Sequence, residues 1–214
     1  MPNSLPARAR LLAATILTCS LLLAAAAPAA NAGLLVRTTT SCDTQMLEQP
    51  FLRWIDPLSY TLAPNGALEG GATDWTLSKA SVVTGNETFY VHGSRDSKSL
   101  YLPQGSSATT RAMCVGLGHL VTRFIVKSKG TSLLSLSRLQ VEVLFEDAGG
   151  NVRSLVIGAA TPSSSWAPTL PMLVVANLLA LLPGEHTPVA FRFTPKGAGS
   201  WWIDDVYVDP HRRS

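Results

Sequence analysis

The chain has 214 residues, of which 46% are hydrophobic and 14% charged, with a formal net charge of +3. That composition is too apolar for a disordered chain. The positive excess is also too small to mark a partner of nucleic acid or of an anionic membrane surface.

Arg8 and Arg10 precede an apolar run from Leu11 to Ala27, followed by Ala30-Asn31-Ala32 and Gly33. A basic n-region, an apolar h-region and a small-residue site in that order predict a secretory signal peptide over residues 1–32, cleaved after Ala32. The run is short and Ala-rich and no stop-transfer charges follow it, which argues against a membrane anchor. Cys19 is preceded by Thr18 and followed by further apolar sequence, which argues against a lipoprotein. Removing Arg8 and Arg10 leaves 15 basic and 14 acidic residues, a net charge of +1. The expectation is a secreted, extracellular monomer with no membrane span after cleavage and no nucleic-acid partner.

Cleavage also removes Cys19, so Cys42 and Cys114 are the thiols of the exported chain. An even pair in an oxidising compartment reads as one disulfide. It would close a loop of about 70 residues and contribute about 4 kcal/mol through the unfolded state. Two separately buried thiols are the alternative; a metal or redox pair is disfavoured, since no Cys-x-x-Cys occurs.

Residues 33–64 form an arm whose Pro57, Tyr60 and Pro64 suggest an extended segment packed along the rest. Strand candidates follow at Trp75–Thr84, Phe89–His92, Ser99–Leu102, Thr109–Cys114 and Leu120–Lys127, separated by Gly85-Asn86, Gly93-Ser94, Pro103-Gln104-Gly105, Gly116 and Gly130. In the next segment Leu139, Val141, Val143 and Phe145 alternate with Gln140, Glu142 and Glu146, the period of a strand with one wet face. Asp147-Ala148-Gly149-Gly150 supplies a turn, and Val152, Leu155 and Ile157 begin the return strand of a hairpin. Met172–Leu182 reads as a buried strand and a tight helical turn. Val189, Phe191 and Phe193 alternate again. The last segment, Trp201-Trp202-Ile203-Asp204-Asp205-Val206-Tyr207-Val208-Asp209-Pro210, interrupts an apolar strand with adjacent carboxylates, which suggests a bulge or a cation site. Many short strands punctuated by Gly, Pro, Ser and Asn make an all-β sandwich or barrel.

Three landmarks occur in order: Asn65-Gly66-Ala67-Leu68-Glu69-Gly70-Gly71 before Trp75, Gly93-Ser94-Arg95-Asp96-Ser97-Lys98-Ser99-Leu100, and Ile203-Asp204-Asp205-Val206. Together they resemble the opening strand, polar loop and closing strand of secreted jelly-roll carbohydrate-binding modules of the galactose-binding-like superfamily. Leu68 stands where those modules usually carry Phe, and the arm lies outside the likeness. The chain as a whole also resembles short, stand-alone exported proteins of actinobacteria. The resemblance implies a jelly-roll β-sandwich of about eight to ten antiparallel strands over residues 65–210, with residues 211–214 a basic tail. It also implies a structural calcium joining both ends of the chain, with Glu69, Asp96 and Asp205 at the matching positions.

Sugar rings stack on aromatic faces, so the candidates are Trp54, Trp75, Tyr90, Tyr101, Trp166, Trp201, Trp202 and Tyr207. The resemblance implies that Trp75 lies in the core, where those modules bury a Trp, and Trp202 is expected there too, since it shares parity with Val206. Trp166, set between Pro162-Ser163-Ser164-Ser165 and Pro168, is the better surface candidate, and Tyr101 the second. For catalysis the support is weaker. No Gly-x-Ser-x-Gly or His-Glu-x-x-His occurs, and His92, His119, His186 and His211 are scattered. Glu142 and Glu146 are predicted to sit on a solvated face, and Asn86-Glu87-Thr88 is a glycosylation sequon. The expectation is a non-catalytic module binding an envelope or extracellular glycan; the alternative is a structural or interaction protein of the envelope with no sugar ligand.

Overall fold

The computed structural model describes residues 45–116, 121–131, 134, 136–147, 150–174 and 186–209. They form an all-β jelly-roll sandwich of two antiparallel sheets. Among the described residues no helix is long and apolar enough to cross a membrane.

The strands are β1 (Thr61–Leu62), β2 (Trp75–Ser78), β3 (Ser81–Thr84), β4 (Lys98–Leu102), β5 (Ser107–Thr110), β6 (Met113–Val115), β7 (Val121–Lys129), β8 (Arg138–Glu146), β9 (Val152–Ala160), β10 (Ala167–Pro168), β11 (Met172–Leu173), β12 (Thr187–Lys196) and β13 (Ser200–Val208). One sheet runs β10-β7-β13-β4-β3, with β1 beside β13 and β11 beside β7; the other runs β2-β5-β12-β8-β9, with β6 beside β12. The core between them takes alternate residues of each long strand: Phe124 and Val126, Leu139, Val141 and Val143, Val189, Phe191 and Phe193, Trp201 and Ile203. Leu139, Val141 and Val143 and Val189, Phe191 and Phe193 are the positions whose period-two pattern predicted strands, because burial of one sheet face selects every second side chain. Trp75 joins this core, and its indole N–H donates to the Asn65 carbonyl at 3.0 Å.

Several expectations are corrected. Trp75–Thr84 is two strands in different sheets: β2 pairs with β5 and β3 with β4. Lys79, at φ 54°, turns the chain between the layers. Thr109–Cys114 likewise splits between β5 and β6. Phe89–His92 is a loop, because its amides are drawn to carboxylates instead of a ladder: Phe89 N–H and Val91 N–H both donate to Glu87. Glu142 is buried, not solvated. The Arg192 guanidinium, its neighbour in the register, grips it with two bonds of 2.8 and 2.9 Å and holds its carboxyl below the usual range. The hairpin of β8 and β9 forms as expected. Of Met172–Leu182, β11 is a strand, while residues 175–185 lie outside those described.

β13 organises the first sheet. Ser200–Asp204 pair with Lys129–Ile125 of β7, then the register shifts and Tyr207 and Val208 pair with Arg123 and Thr122. Asp205 takes φ 51° within the bulge, the left-handed region. On its other side β13 pairs with β4 through Ile203 and with β1 from Tyr207. Asp204 and Asp205 therefore occupy the gap between two partner strands. Gly66 closes the gap's far side: a Cβ there would stand 2.6 Å from the Val206 carbonyl oxygen, a contact only glycine avoids.

The arm does more than extend. Leu52–Trp54 forms a 3-10 turn, and Phe51 and Tyr60 are fully buried against the outer face of the first sheet. There Phe51 meets Tyr207 edge-on at 5.8 Å, and the Arg123 guanidinium lies 4.4 Å over the Phe51 ring. Arg123 also pairs with Asp56, which accepts the Tyr60 hydroxyl at 2.7 Å. Cys42 lies outside the described residues. Gln45, three positions later, donates its side-chain amide to the Cys114 carbonyl at 2.9 Å.

Candidate functional site

Along β13 the outer face of the first sheet carries three zones in sequence: Trp202, then Asp204-Asp205, then Tyr207 beneath the arm. Trp202 corrects its expected place. The bulge reverses side-chain parity between Ile203 and Val206, so Trp201 and Val206 share the core while Trp202 faces outward.

The row at Trp202 follows from register. Trp202 pairs with Tyr101 of β4 on one side and Lys127 of β7 on the other. Trp166, one residue before the Ala167–Val126 pair, stands beyond Lys127. The Tyr101 and Trp202 rings lie 4.9 Å apart and tilted by 41°. The Lys127 ammonium lies 5.3 Å from the Trp202 ring centre and 4.4 Å from that of Trp166. Tyr101, Trp202 and Lys127 are half-buried. Trp166, expected at the surface, is 8% exposed, because Ser163 bonds back to Ser128 and lays this segment along β7. Beside the row lies a groove of about 620 Å³, lined by Lys127, Lys129, Thr131, Ser163, Ser164 and Trp202 among others. The structure thus puts both sequence-nominated aromatics, Tyr101 and Trp166, in one row, and adds Trp202 and Lys127 between them.

The second zone gathers carboxylates. Asp204 and Asp205 are fully buried and Glu87 is 1% exposed. The loop between β3 and β4 folds over them. Its Glu87 N–H donates to Asp204 at 3.1 Å and its His92 N–H to Asp205 at 3.3 Å, while Asp205 N–H donates to Asp204 at 2.9 Å. His92 Nδ1 lies 2.8 Å from Asp96 Oδ2. Ligand atoms of His92, Asp96 and Asp205 all lie within 4.8 Å of one another. Burial, reinforced by Asp205, pushes the Asp204 carboxyl up to about 9; burial, reinforced by Glu87, pushes Asp205 up to about 7.

This set was legible only in part. Asp96 and Asp205 do come together. Glu69 does not join them: it accepts Ser97 N–H and Lys98 N–H at 2.8 Å each and the Ser97 hydroxyl at 3.1 Å, so it caps the start of β4. Glu87 was visible only as the middle of a sequon, and its burial depends on Asp204, 117 positions away. A divalent cation fits the donors. Both Glu87 oxygens accept backbone N–H groups and both Asp204 oxygens do too, whereas Asp205 Oδ1 is buried with no hydrogen-bond partner among the described residues. Asp205 and Asp96 are hard oxygen donors of the kind calcium takes.

No protein-family model matches the chain, and no curated protein matches it. Among solved structures it is similar to the N-terminal CBM22-1–GH10 modules of endo-1,4-beta-D-xylanase 10B of Clostridium thermocellum, complexed with xylohexaose, at 12% identity and a TM-score of 0.46, covering 65% of this chain and 26% of that one. It is also similar to the CBM22-1 xylan-binding domain of Xyn10C from Paenibacillus barcinonensis, at 12% identity and a TM-score of 0.45, covering 70% of this chain and 94% of that one. A third is TmCBM61 in complex with beta-1,4-galactotriose, at 20% identity and a TM-score of 0.40, covering 69% and 96%. At such identities these are likenesses of fold, and fold does not specify a ligand.

The raised carboxyls make a pH prediction. Groups whose pKa is raised in the folded state stabilise it fully at low pH, and that contribution is lost as pH rises through about 7 for Asp205 and about 9 for Asp204. In chelator, the melting temperature is expected to fall between about pH 5 and about pH 9, a loss on the order of several kcal/mol. Asp204→Asn, which keeps a neutral group in place, is expected to flatten the fall. A melting temperature that is level or rises across this range would contradict the assignment.

Proposed function

We propose that this chain is an exported, non-catalytic module that binds a glycan of the cell envelope or its surroundings. The observation that carries the reading is the row Tyr101–Trp202–Lys127–Trp166, set across one sheet beside an open groove. Sugar rings present apolar faces that stack on Tyr and Trp, and hydroxyls that hydrogen-bond to nearby polar groups. Here the half-buried Tyr101 and Trp202 rings lie 4.9 Å apart on adjacent strands with Trp166 buried beyond Lys127, and Thr131, Ser163 and Ser164 line the groove. On an array of soluble polysaccharides, binding is expected for the exported protein and is expected to weaken about tenfold in Trp202→Ala, the loss of one stacking face. Melting at the parent temperature checks that the variant is folded. Binding unchanged in that variant, or binding to no polysaccharide, argues for a scaffold with no sugar ligand.

The reading includes a structural calcium held by Asp96 and Asp205, with Glu87 and Asp204 adding negative charge behind them. The unpartnered Asp205 oxygen and the burial of three carboxylates support it, since a divalent cation offsets a charge that the apolar surroundings disfavour. Calcium is expected to raise the melting temperature by several degrees, and Asp205→Asn to abolish that response. The same melting curve in calcium and in chelator would remove the ion from the proposal.

The arm is tied down by a Cys42–Cys114 disulfide. The bond from Gln45 to the Cys114 carbonyl supports it, because it holds the chain three residues beyond Cys42 at the right place. The intact mass of the exported protein is expected to rise by two hydrogens on reduction; free thiols before reduction would exclude the bridge.

A further inference from the structure

Lys127 is an unusual member of an aromatic row. Its ammonium stands between two indoles, 4.4 Å from one ring centre and 5.3 Å from the other. Among the described residues it makes no ion pair with a carboxylate. Four arginines of this domain do pair: Arg123 with Asp56, Arg111 with Asp74, Arg153 with Asp147 and Arg192 with Glu142, whereas Arg53 lies over the Trp54 and Phe89 rings. Lys129, two positions on and so on the same face of β7, also lines the groove and is likewise without an ion pair among the described residues.

Ring faces attract a cation but accept no strong, directional hydrogen bond. Lys127 therefore keeps N–H donors that the indoles do not satisfy. Burial costs the ammonium hydration and lowers its pKa. A neutral sugar laid along the row would deepen that cost without returning a charged acceptor. A carboxylate on the sugar returns one, in a charge-assisted bond about twice as strong as a neutral one.

Resting on the glycan-binding reading above, we propose that the groove selects an acidic polysaccharide built of uronate units, with Lys127 bonding a uronate carboxylate while the ring stacks on Trp202. Lys129 at the rim adds attraction for the polyanion, and Ser163, Ser164 and Thr131 take the hydroxyls.

The test uses the exported chain in titration calorimetry at low salt, with polygalacturonate and alginate as acidic probes and β-1,4-galactan and unsubstituted xylan as neutral ones. At least one acidic polymer is expected to bind about tenfold or more tightly than either neutral polymer. Lys127→Met, which keeps the length of the stem against the indoles, is expected to remove that preference. Neutral polymers bound as tightly as acidic ones would overturn the acidic selectivity and leave the glycan-binding reading standing. Acidic binding undiminished in Lys127→Met, with Trp202→Ala also without effect, would reduce the interaction to nonspecific attraction of a polyanion and overturn the proposal. Binding to neither class would overturn both readings.

Discussion

One added residue in β13 decides what its neighbours can be. At Asp205 the backbone enters the left-handed region, the register against β7 shifts, and β13 exchanges β4 for β1 as its other partner. A strand that loses one neighbour before gaining the next leaves an opening in the sheet, and buried backbone groups cannot be left unpaired there. The loop between β3 and β4 fills it with side-chain and backbone bonds: Glu87 to Asp204, His92 to Asp205, and Glu87 back to its own loop. Gly66 permits the opposite wall to come close.

The cost of this arrangement is negative charge. Three carboxylates without solvent exposure face one another where the interior disfavours even one. Backbone N–H groups satisfy most of their oxygens, which orients them but does not neutralise them. The raised carboxyls of Asp204 and Asp205 express the remainder. Stability at this point therefore depends on protons or on a cation, and the closing strand, the polar loop and the approach to β1 depend on it together.

The same bulge divides the sheet's outer face. Beyond it Tyr207 turns outward and is roofed by Phe51 and Tyr60 of the arm, so that half becomes a second, smaller core. Before it Trp202 turns outward and is half-buried, flanked by Tyr101 and Lys127. Aromatic surface is covered by the chain's own arm at one end and left beside a groove at the other.

Period-two alternation in the segments around Val141, Phe191 and Phe193, with turn residues between many short strands, was enough to read an all-β sandwich or barrel, because a sheet buries one face and so selects every second side chain; the resemblance implied the sandwich. The resemblance also implied the burial of Trp75, and the sequence alone marked the irregularity at Asp204-Asp205. It brought Tyr101 and Trp166 forward as aromatic candidates, although it placed Trp166 in solvent. The tertiary structure decided the rest: the outward turn of Trp202, the assignment of β2 and β3 to different sheets, the loop at Phe89–His92, and the entry of Glu87 into the carboxylate cluster while Glu69 stays outside. Each of these depends on a partner brought from far along the chain, such as Asp204 for Glu87 at 117 positions. Local pattern carries no information on which strand lies beside which, so parity after a bulge and the company a buried carboxylate keeps are properties of the folded sheet alone.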